Sequence, residues 1–263
     1  MTMNVAVSGV KAATADLNTI AHNIANVNTD GFKNSRAEFG DLVGGSGSSG
    51  LLGVRTQAVN QLFQQGSVRA TSNDGGNNKM DLAIIGNGFF QVANVTGAAP
   101  GTSVGPPLYT RAGSFKVDAG GFVVNNLGQR LQLAGGTPPA LGGDIVAPAD
   151  PLTAGLFAKV TDIKPDGTLS FSDGTSAQAV GVYDFPNIQG LKAVGDTEWV
   201  ETAASGPGVA ITTSQVLGGY LEGSNSDLTD QLVNMIVAQR NFQANAKTIT
   251  TENTLSETII NIR

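Results

Sequence analysis

From Ser224 to Arg263 the chain holds neither glycine nor proline, although the whole sequence carries 35 of the first and 10 of the second. These two residues interrupt helices most strongly. A long stretch free of both, closing so interrupted a sequence, constrains the fold more than any other feature. It predicts one long helix. Ser224 to Ser226 supply N-cap candidates, and Asp227 and Asp230 suit the first turn, where negative charge meets the positive end of the helix dipole. Leu228, Met235, Phe242 and Ile249 recur every seven residues, and Leu232, Ile236, Ala246, Leu255, Ile259 and Ile262 widen the stripe. The phase shifts after Ile249. At ~1.5 Å per residue such a helix reaches about 55 Å, against a mean globular helix of about 11–12 residues.

The opposite end of the chain has the same character. Over residues 3–28, Val10, Leu17 and Ile24 lie seven apart, and Ala13, Ile20 and Val27 form a second series offset by three. This helix would reach about 39 Å. It closes on "HNIANVNTDGFK", where Asn23, Asn26 and Asn28 crowd the last turns before Gly31. Asn side chains bond nearby backbone and tolerate left-handed geometry. Gly31 permits a sharp exit and Phe32 can anchor the connection to the next segment. For Asn28, simple helix capping is at least as good a reading as any other role.

Between the helices the periodicity changes. Residues 34–79 read as an extended linker containing the small-residue tracts "GGSGSSGLLG" and "TSNDGGNN". Strand patterns begin at Met80. "MDLAIIGNGFFQVAN" places apolar runs around a Gly-Asn-Gly turn, "FKVDAGGFVVNNLGQRLQL" turns at "DAGG" and "NNLG", and "GTLSFSDGTSAQAVGVYDF" turns at "SDGT". Of the adjacent Phe89 and Phe90, alternation predicts one buried and one at a contact. The prolines of "PGTSVGPP" and "TPPALGGDIVAPADP" mark loops, since proline cannot donate to a strand ladder. The expected order is an N-terminal helix over 1–33, the linker over 34–79, a β-rich domain over 80–223 and a C-terminal helix over 224–263. The fold class is α+β: long N- and C-terminal helices paired as a coiled coil, with a central all-β domain.

Composition excludes several function classes. There is no cysteine, so neither disulfides nor thiolate metal sites arise, and the single histidine, His22, cannot build a zinc site unaided. No metal or cofactor site is expected. The net charge is −6 and basic residues do not cluster, so nucleic acid is not an expected partner. No apolar run approaches the ~18 residues that span a bilayer, so no membrane insertion is expected. The first residues lack both a basic region and a continuous apolar run, so they do not read as a cleaved signal peptide. Asp118, Asp162, Asp166, Asp173 and Asp184 are the carboxylates a hydrolytic site would draw on. Asp118, Asp166 and Asp173 sit beside glycine in turns, where aspartate is expected for conformational reasons. No nucleophile–histidine–carboxylate set is legible, and the chain is not read as an enzyme.

Two long helices with about eight large core side chains gain about 1.5–3 kcal/mol per side chain. Ordering some 60 residues costs about 1–2 kcal/mol each in backbone entropy, offset only in part by helical hydrogen bonds. The stripes also continue past what one partner helix covers, leaving Ile236, Ile259 and Ile262 partly exposed in an isolated pair. Order is therefore expected against copies of the same chain. The alternative is a monomer whose terminal helices fold back onto the β domain.

"SGVKAATADLNTIAHNIANVNTDGFK" resembles the N-terminal signature of the bacterial flagellar axial proteins, the rod and hook subunits, through Ser8, Gly9, Leu17, Ile20, Asn23, Ile24, Ala25, Asn26, Thr29, Gly31, Phe32 and Lys33. "MDLAIIGNGFFQV" and "YTRAGSFKVDAGGFVVNNLGQRLQ" resemble the family's β core, and the segment from Ser224 its C-terminal helix. "MIVAQRNFQANAKTI" is nearest the hook version, whereas the length is nearer the rod subunits. The resemblance implies a subunit that assembles with copies of itself into a tubular helical polymer and transmits motor torque. Its terminal helices would line the inner wall, with Val10, Leu17, Ile20, Ile24, Val27, Leu228, Leu232, Met235, Ile236, Phe242, Ile249, Leu255, Ile259 and Ile262 at subunit contacts. Asn23 and Asn26 would bond backbone of an adjacent subunit. The implied partners are further copies, adjacent axial and junction proteins and the flagellar export apparatus. The implied location is the flagellum, extracellular or spanning the periplasm, reached by export without a cleaved signal. The competing reading is a secreted β-rich binding or adhesin module with helical termini, which would have no need of heptads at both ends.

Overall fold

The computed structural model describes residues 2–43, 51–71, 80–95, 97, 105–135, 143–149, 157–173, 177–211 and 214–262. Most of the two small-residue tracts, and much of the two proline-rich stretches, lie outside the described residues. The chain divides into two compact units. The first takes in the chain up to Val27, the stretch Lys33–Leu62 and everything from Ser226. The second takes in Asn28–Phe32 and Phe63–Asn225.

The first unit contains helix α1 (Thr2–Ala25), strands β1 (Ser35–Val43) and β2 (Leu51–Gln61), and helix α2 (Leu228–Asn261). Where an extended linker was expected over 34–79, β1 and β2 pair as an antiparallel hairpin, Ser35 opposite Gln61, with register shifts after Glu38 and Leu42. The register shifts break the strict two-residue alternation that would have marked these strands. The face toward α1 is also built from small residues such as Ala37, which is buried. α1 packs against α2 and against both strands of the hairpin. Its buried side chains are mostly short: Ala6, Ala12, Ala13 and Thr19, with Ile20 and the amide of Asn23 the larger ones. The backbone N–H of Val54 donates to Ser8 Oγ at 3.1 Å and ties β2 to the helix.

The second unit is β-rich throughout. Its largest sheet runs in the order Lys192–Gly195, Glu198–Val200, Leu108–Thr110, Phe89–Ala93, Arg130–Leu131, Val123–Asn125 and Phe115–Val117, all antiparallel. A smaller sheet joins Val160–Ile163, Thr168–Phe171 and Ala177–Ala179. Phe89 and Phe90 are both buried, on opposite faces of their strand. Phe90 meets Phe115 edge-on in the main core, and Phe89 joins Tyr109, Tyr183, Phe185 and Trp199 in an aromatic cluster. Alternation had left one of the two phenylalanines at a contact. Instead the sheet is covered on both sides, which buries both faces. Asp118 Oδ1 accepts from the Gly120 and Phe122 N–H groups, and Asp166 Oδ1 from Thr168 N–H, which are the turn roles expected of them.

Candidate assembly surface

α2 starts at Asp227, not within Ser224 to Ser226. The Asp227 carboxylate accepts from the N–H groups of Thr229 and Asp230 and so closes two of the otherwise unpaired donors of the first turn. Two contacts set how α2 lies on α1. Asn23 Nδ2 donates to Gln231 Oε1 at 3.2 Å. Gly9 packs on Asn245 so closely that a Cβ added at Gly9 would stand 2.7 Å from Asn245 Oδ1. The two α1 residues are fourteen positions apart, and so are their two partners, in the opposite order. The helices are therefore antiparallel, and the midpoint of this register sets Asp16 opposite Ala238, which is buried.

This seam differs from the expected one. It runs through Gly9, Asp16 and Asn23 on one side and Gln231, Ala238 and Asn245 on the other, with Met235 and Ile249 half-buried beside it. Val10, Leu17, Ile24 and Val27 are also half-buried, and Ile20 is buried. Leu228, Leu232, Ile236, Leu255, Ile259 and Ile262 are exposed, as are Val233, Val237 and Ile260, and Phe242 is only marginally covered. Close approach explains the choice. A glycine and short amides let α1 fit between α2 and the hairpin, and larger side chains at those positions would force the layers apart. The large apolar residues of α2 are left facing outward, because α2 packs chiefly on α1.

The amides at the end of α1 work inside the chain. Asn23, 2% exposed, accepts from Ser35 N–H at 2.9 Å and donates to Ser35 O at 2.8 Å, so it pairs with the first residue of β1 as a neighbouring strand would. Asn26 Nδ2 donates to His22 O one turn back. Both amides thus make bonds within one chain. Asn28 is exposed. Thr29 O accepts from Phe32 N–H, Phe32 and Lys33 are buried, and Gly31 takes a left-handed φ of +72°.

The sequence did not point to Glu222. Its carboxylate is fully buried against Arg111, with Arg111 Nη1 donating at 3.1 Å. Gly66 N–H donates to Oε1, and Gly31 N–H donates to the Glu222 carbonyl. Next to it, Gly223 N–H donates to Ser67 O and Asn225 N–H to Phe32 O. Glu222 thus gathers, within the second unit, the three segments by which the chain leaves α1, returns from the hairpin and enters α2. Burial lowers the Arg111 pKa, and the facing Glu222 carboxylate opposes that shift. No local pattern could have matched two charges separated by over a hundred residues.

The hydroxyls along the second half of α2 bond within the helix. Thr248, Thr251, Thr254, Ser256 and Thr258 each donate to the carbonyl four residues back. With these donors satisfied internally, covering that half of the helix would leave none of these hydroxyls without a partner.

Three family models match this chain, one at each end and one in the middle. "Flagella basal body rod protein" matches residues 3–33, "Flagellar hook protein FlgE/F/G D1 domain" residues 83–171, and "Flagellar basal body rod FlgEFG protein C-terminal" residues 217–262. The flagellar basal-body rod protein FlgG of Bacillus subtilis is 34% identical, over 98% of this chain and 97% of the relative. The chain belongs to the flagellar rod and hook family. The FlgG protein of Agrobacterium fabrum is 33% identical over 97% and 96% of the two chains. The flagellar hook protein FlgE of Salmonella typhimurium is 25% identical over the whole of both. As a member of the rod and hook family, this protein is a structural axial subunit of the bacterial flagellum. The first family model covers the helix that carries the amide cluster, and the last covers Glu222 together with the outward-facing stripe of α2.

Proposed function

We propose that this axial subunit builds rod, not hook, and that its two terminal helices complete a coiled-coil wall only in a tube of its own copies. The observation that carries the choice is length. The alignment with the B. subtilis rod protein spans 276 positions, close to the 263 residues of this chain, whereas that with the hook protein spreads to 418. The hook protein therefore carries a large insertion with no counterpart here. The outward-facing apolar side chains of α2 support assembly through the helical ends. Export without a cleaved signal, and contacts with adjacent axial and junction proteins and with the export apparatus, belong to the same reading.

A rod transmits torque, so its subunits must resist bending, and the buried Arg111–Glu222 pair suits a stiff joint in the second unit. The test is electron microscopy of polymer grown from the purified chain. Straight tubes are expected, and chains lacking residues 2–28 or 228–262 should form none. Curved, supercoiling tubes would overturn the assignment to rod. Tubes formed by either truncated chain would overturn assembly through the helical ends.

A further inference from the structure

Asn87 and Gly88 form the only Asn-Gly pair of the chain. They lie in the second unit, in the turn between the strands Leu82–Ile85 and Phe89–Ala93. Asn87 is exposed, and its carboxamide makes no hydrogen bond among the described residues. Among those residues the Gly88 N–H is equally untied. The carbonyl of the same peptide unit is held, because Ser214 Oγ donates to Asn87 O. The Asp-Gly pairs, which share the same kind of chemistry, are tied down. At Asp30–Gly31 the carboxylate holds Arg69 at 2.7 Å, and the Gly31 N–H donates to Glu222 O at 2.7 Å. At Asp166–Gly167 the carboxylate accepts from Thr168 N–H, and the Gly167 N–H donates to Lys164 O at 2.9 Å. The remaining Asp-Gly pairs reach outside the described residues.

We propose that Asn87–Gly88 is a site of spontaneous covalent modification, at which the Asn87 carboxamide is lost as ammonia with help from Ser214. The Gly88 nitrogen gives its proton to solvent and attacks Asn87 Cγ. The nitrogen–Cγ bond forms and the Cγ–Nδ2 bond breaks. Nδ2 takes a proton back from solvent and departs as ammonia, leaving a cyclic succinimide. Water then opens one of the two succinimide carbonyls. One opening gives an aspartyl link, and the other carries the main chain through the side chain as an isoaspartyl link. Glycine lacks a Cβ and so leaves the nitrogen open to this approach. As that nitrogen loses its proton, negative charge spreads onto the Asn87 carbonyl oxygen. The Ser214 hydroxyl already donates there, and a donor placed where charge develops lowers the barrier. The fold also requires the glycine that makes the bond labile: Gly88 has a φ of +123°, and an added Cβ would stand 2.6 Å from Val182 Cγ1. An isoaspartyl link lengthens the main chain by a carbon between two fixed points. Gly86 is pinned by Gln65 Oε1 on its N–H and Arg111 Nη2 on its carbonyl, and Phe89 is packed on Trp199 in the aromatic cluster. The reaction therefore loosens this corner of the second unit. It needs water alone as co-reactant and does not depend on assembly.

The test is prolonged incubation of the folded full chain in warm, mildly alkaline buffer, followed by tryptic digestion and fragmentation mass spectrometry. The same chain kept in urea and a sample digested without incubation serve as references. The peptide from Met80 to Arg111 contains two asparagines, Asn87 and Asn94. It should gain the mass of an NH2-to-OH exchange at position 87 and not at 94, and the product should separate into aspartyl and isoaspartyl forms. Asn87→Ser should abolish the gain. Ser214→Ala should slow it severalfold in the folded chain and leave the rate in urea unchanged, with circular dichroism checking that the variant keeps its fold. If position 87 stays intact in the folded chain while it converts in urea, the fold protects this bond and the proposal fails. If Ser214→Ala converts at the unmodified rate, the hydroxyl has no part in the reaction and the assisted site is wrong. A gain that survives Asn87→Ser would place the reaction elsewhere and overturn the assignment.

Discussion

The Asn23 side chain joins three elements: it hydrogen-bonds Gln231 of α2 at 3.2 Å while exchanging two hydrogen bonds with the Ser35 backbone at the start of β1. Truncation to alanine strands buried polar groups on both partners, at about 1–3 kcal/mol for each unsatisfied group. Asn23→Ala should therefore destabilise the first unit by about 3 kcal/mol, read as a shifted midpoint in urea unfolding followed by helical circular dichroism. Asn23→Asp should be no better, because a carboxylate has no N–H to offer Ser35 O or Gln231 Oε1. A shift within error for both variants would show that the amide is not structural.

Gly31 combines a φ of +72° with backbone approach to Ala112. A Cβ there would run into the Ala112 backbone nitrogen, and the left-handed conformation itself costs a side chain about 1–2 kcal/mol. Gly31→Ala should lower the thermal midpoint by several degrees, since about 1 kcal/mol moves the midpoint of a 150–250-residue protein by about 2–4 °C. Gly31→Asn discriminates between the two causes. Asparagine tolerates the conformation but carries the same Cβ, so recovery by Asn would mean that only backbone strain mattered.

Arg111 and Glu222 should behave as one unit. Arg111→Met removes the guanidinium that faces the buried Glu222 carboxylate, and breaking a buried pair on one side costs about 3–5 kcal/mol. Adding Glu222→Gln removes that charge and keeps an oxygen for Gly66 N–H. The double variant should therefore be more stable than Arg111→Met alone, with a coupling above about 1 kcal/mol in a double-mutant cycle. Strict additivity would mean that the two side chains do not interact in solution.

Burial raises the Asp16 pKa above the ordinary 3.8. The folded state thus holds the Asp16 proton more tightly than the unfolded chain does. Its contribution to stability is fully present below the ordinary carboxylate value and is lost as pH rises through the raised one. Asp16→Asn should stabilise the helix pair at neutral pH, change little at pH 3, and flatten the thermal midpoint over the range between. An unchanged pH profile would place Asp16 in water rather than at the seam opposite Ala238.

Both helices were legible because helical patterning is local. The expected 3–28 became Thr2–Ala25, and the glycine-free tail became Leu228–Asn261. The β-rich middle was legible from alternation and turn residues, and Asp118 and Asp166 occupy the turns expected of them. The hairpin of β1 and β2 was not legible, because bulges and small residues blur its alternation. The intrachain seam was not legible for a related reason. Large apolar residues mark where a helix wants a partner, but they do not say which copy supplies it, and the closest intrachain contact fell to glycine, alanine and amides.

By itself the sequence determined that two long amphipathic helices flank a β-rich middle, and which residues turn the chain, because those properties depend on neighbours three or four positions away. Only the tertiary structure decided that Asn23 meets Ser35 and Gln231, that Arg111 meets Glu222, and that α2 turns its largest side chains outward. Those outcomes depend on how closely distant backbones can approach, a quantity set by three-dimensional packing and written in no single stretch of chain.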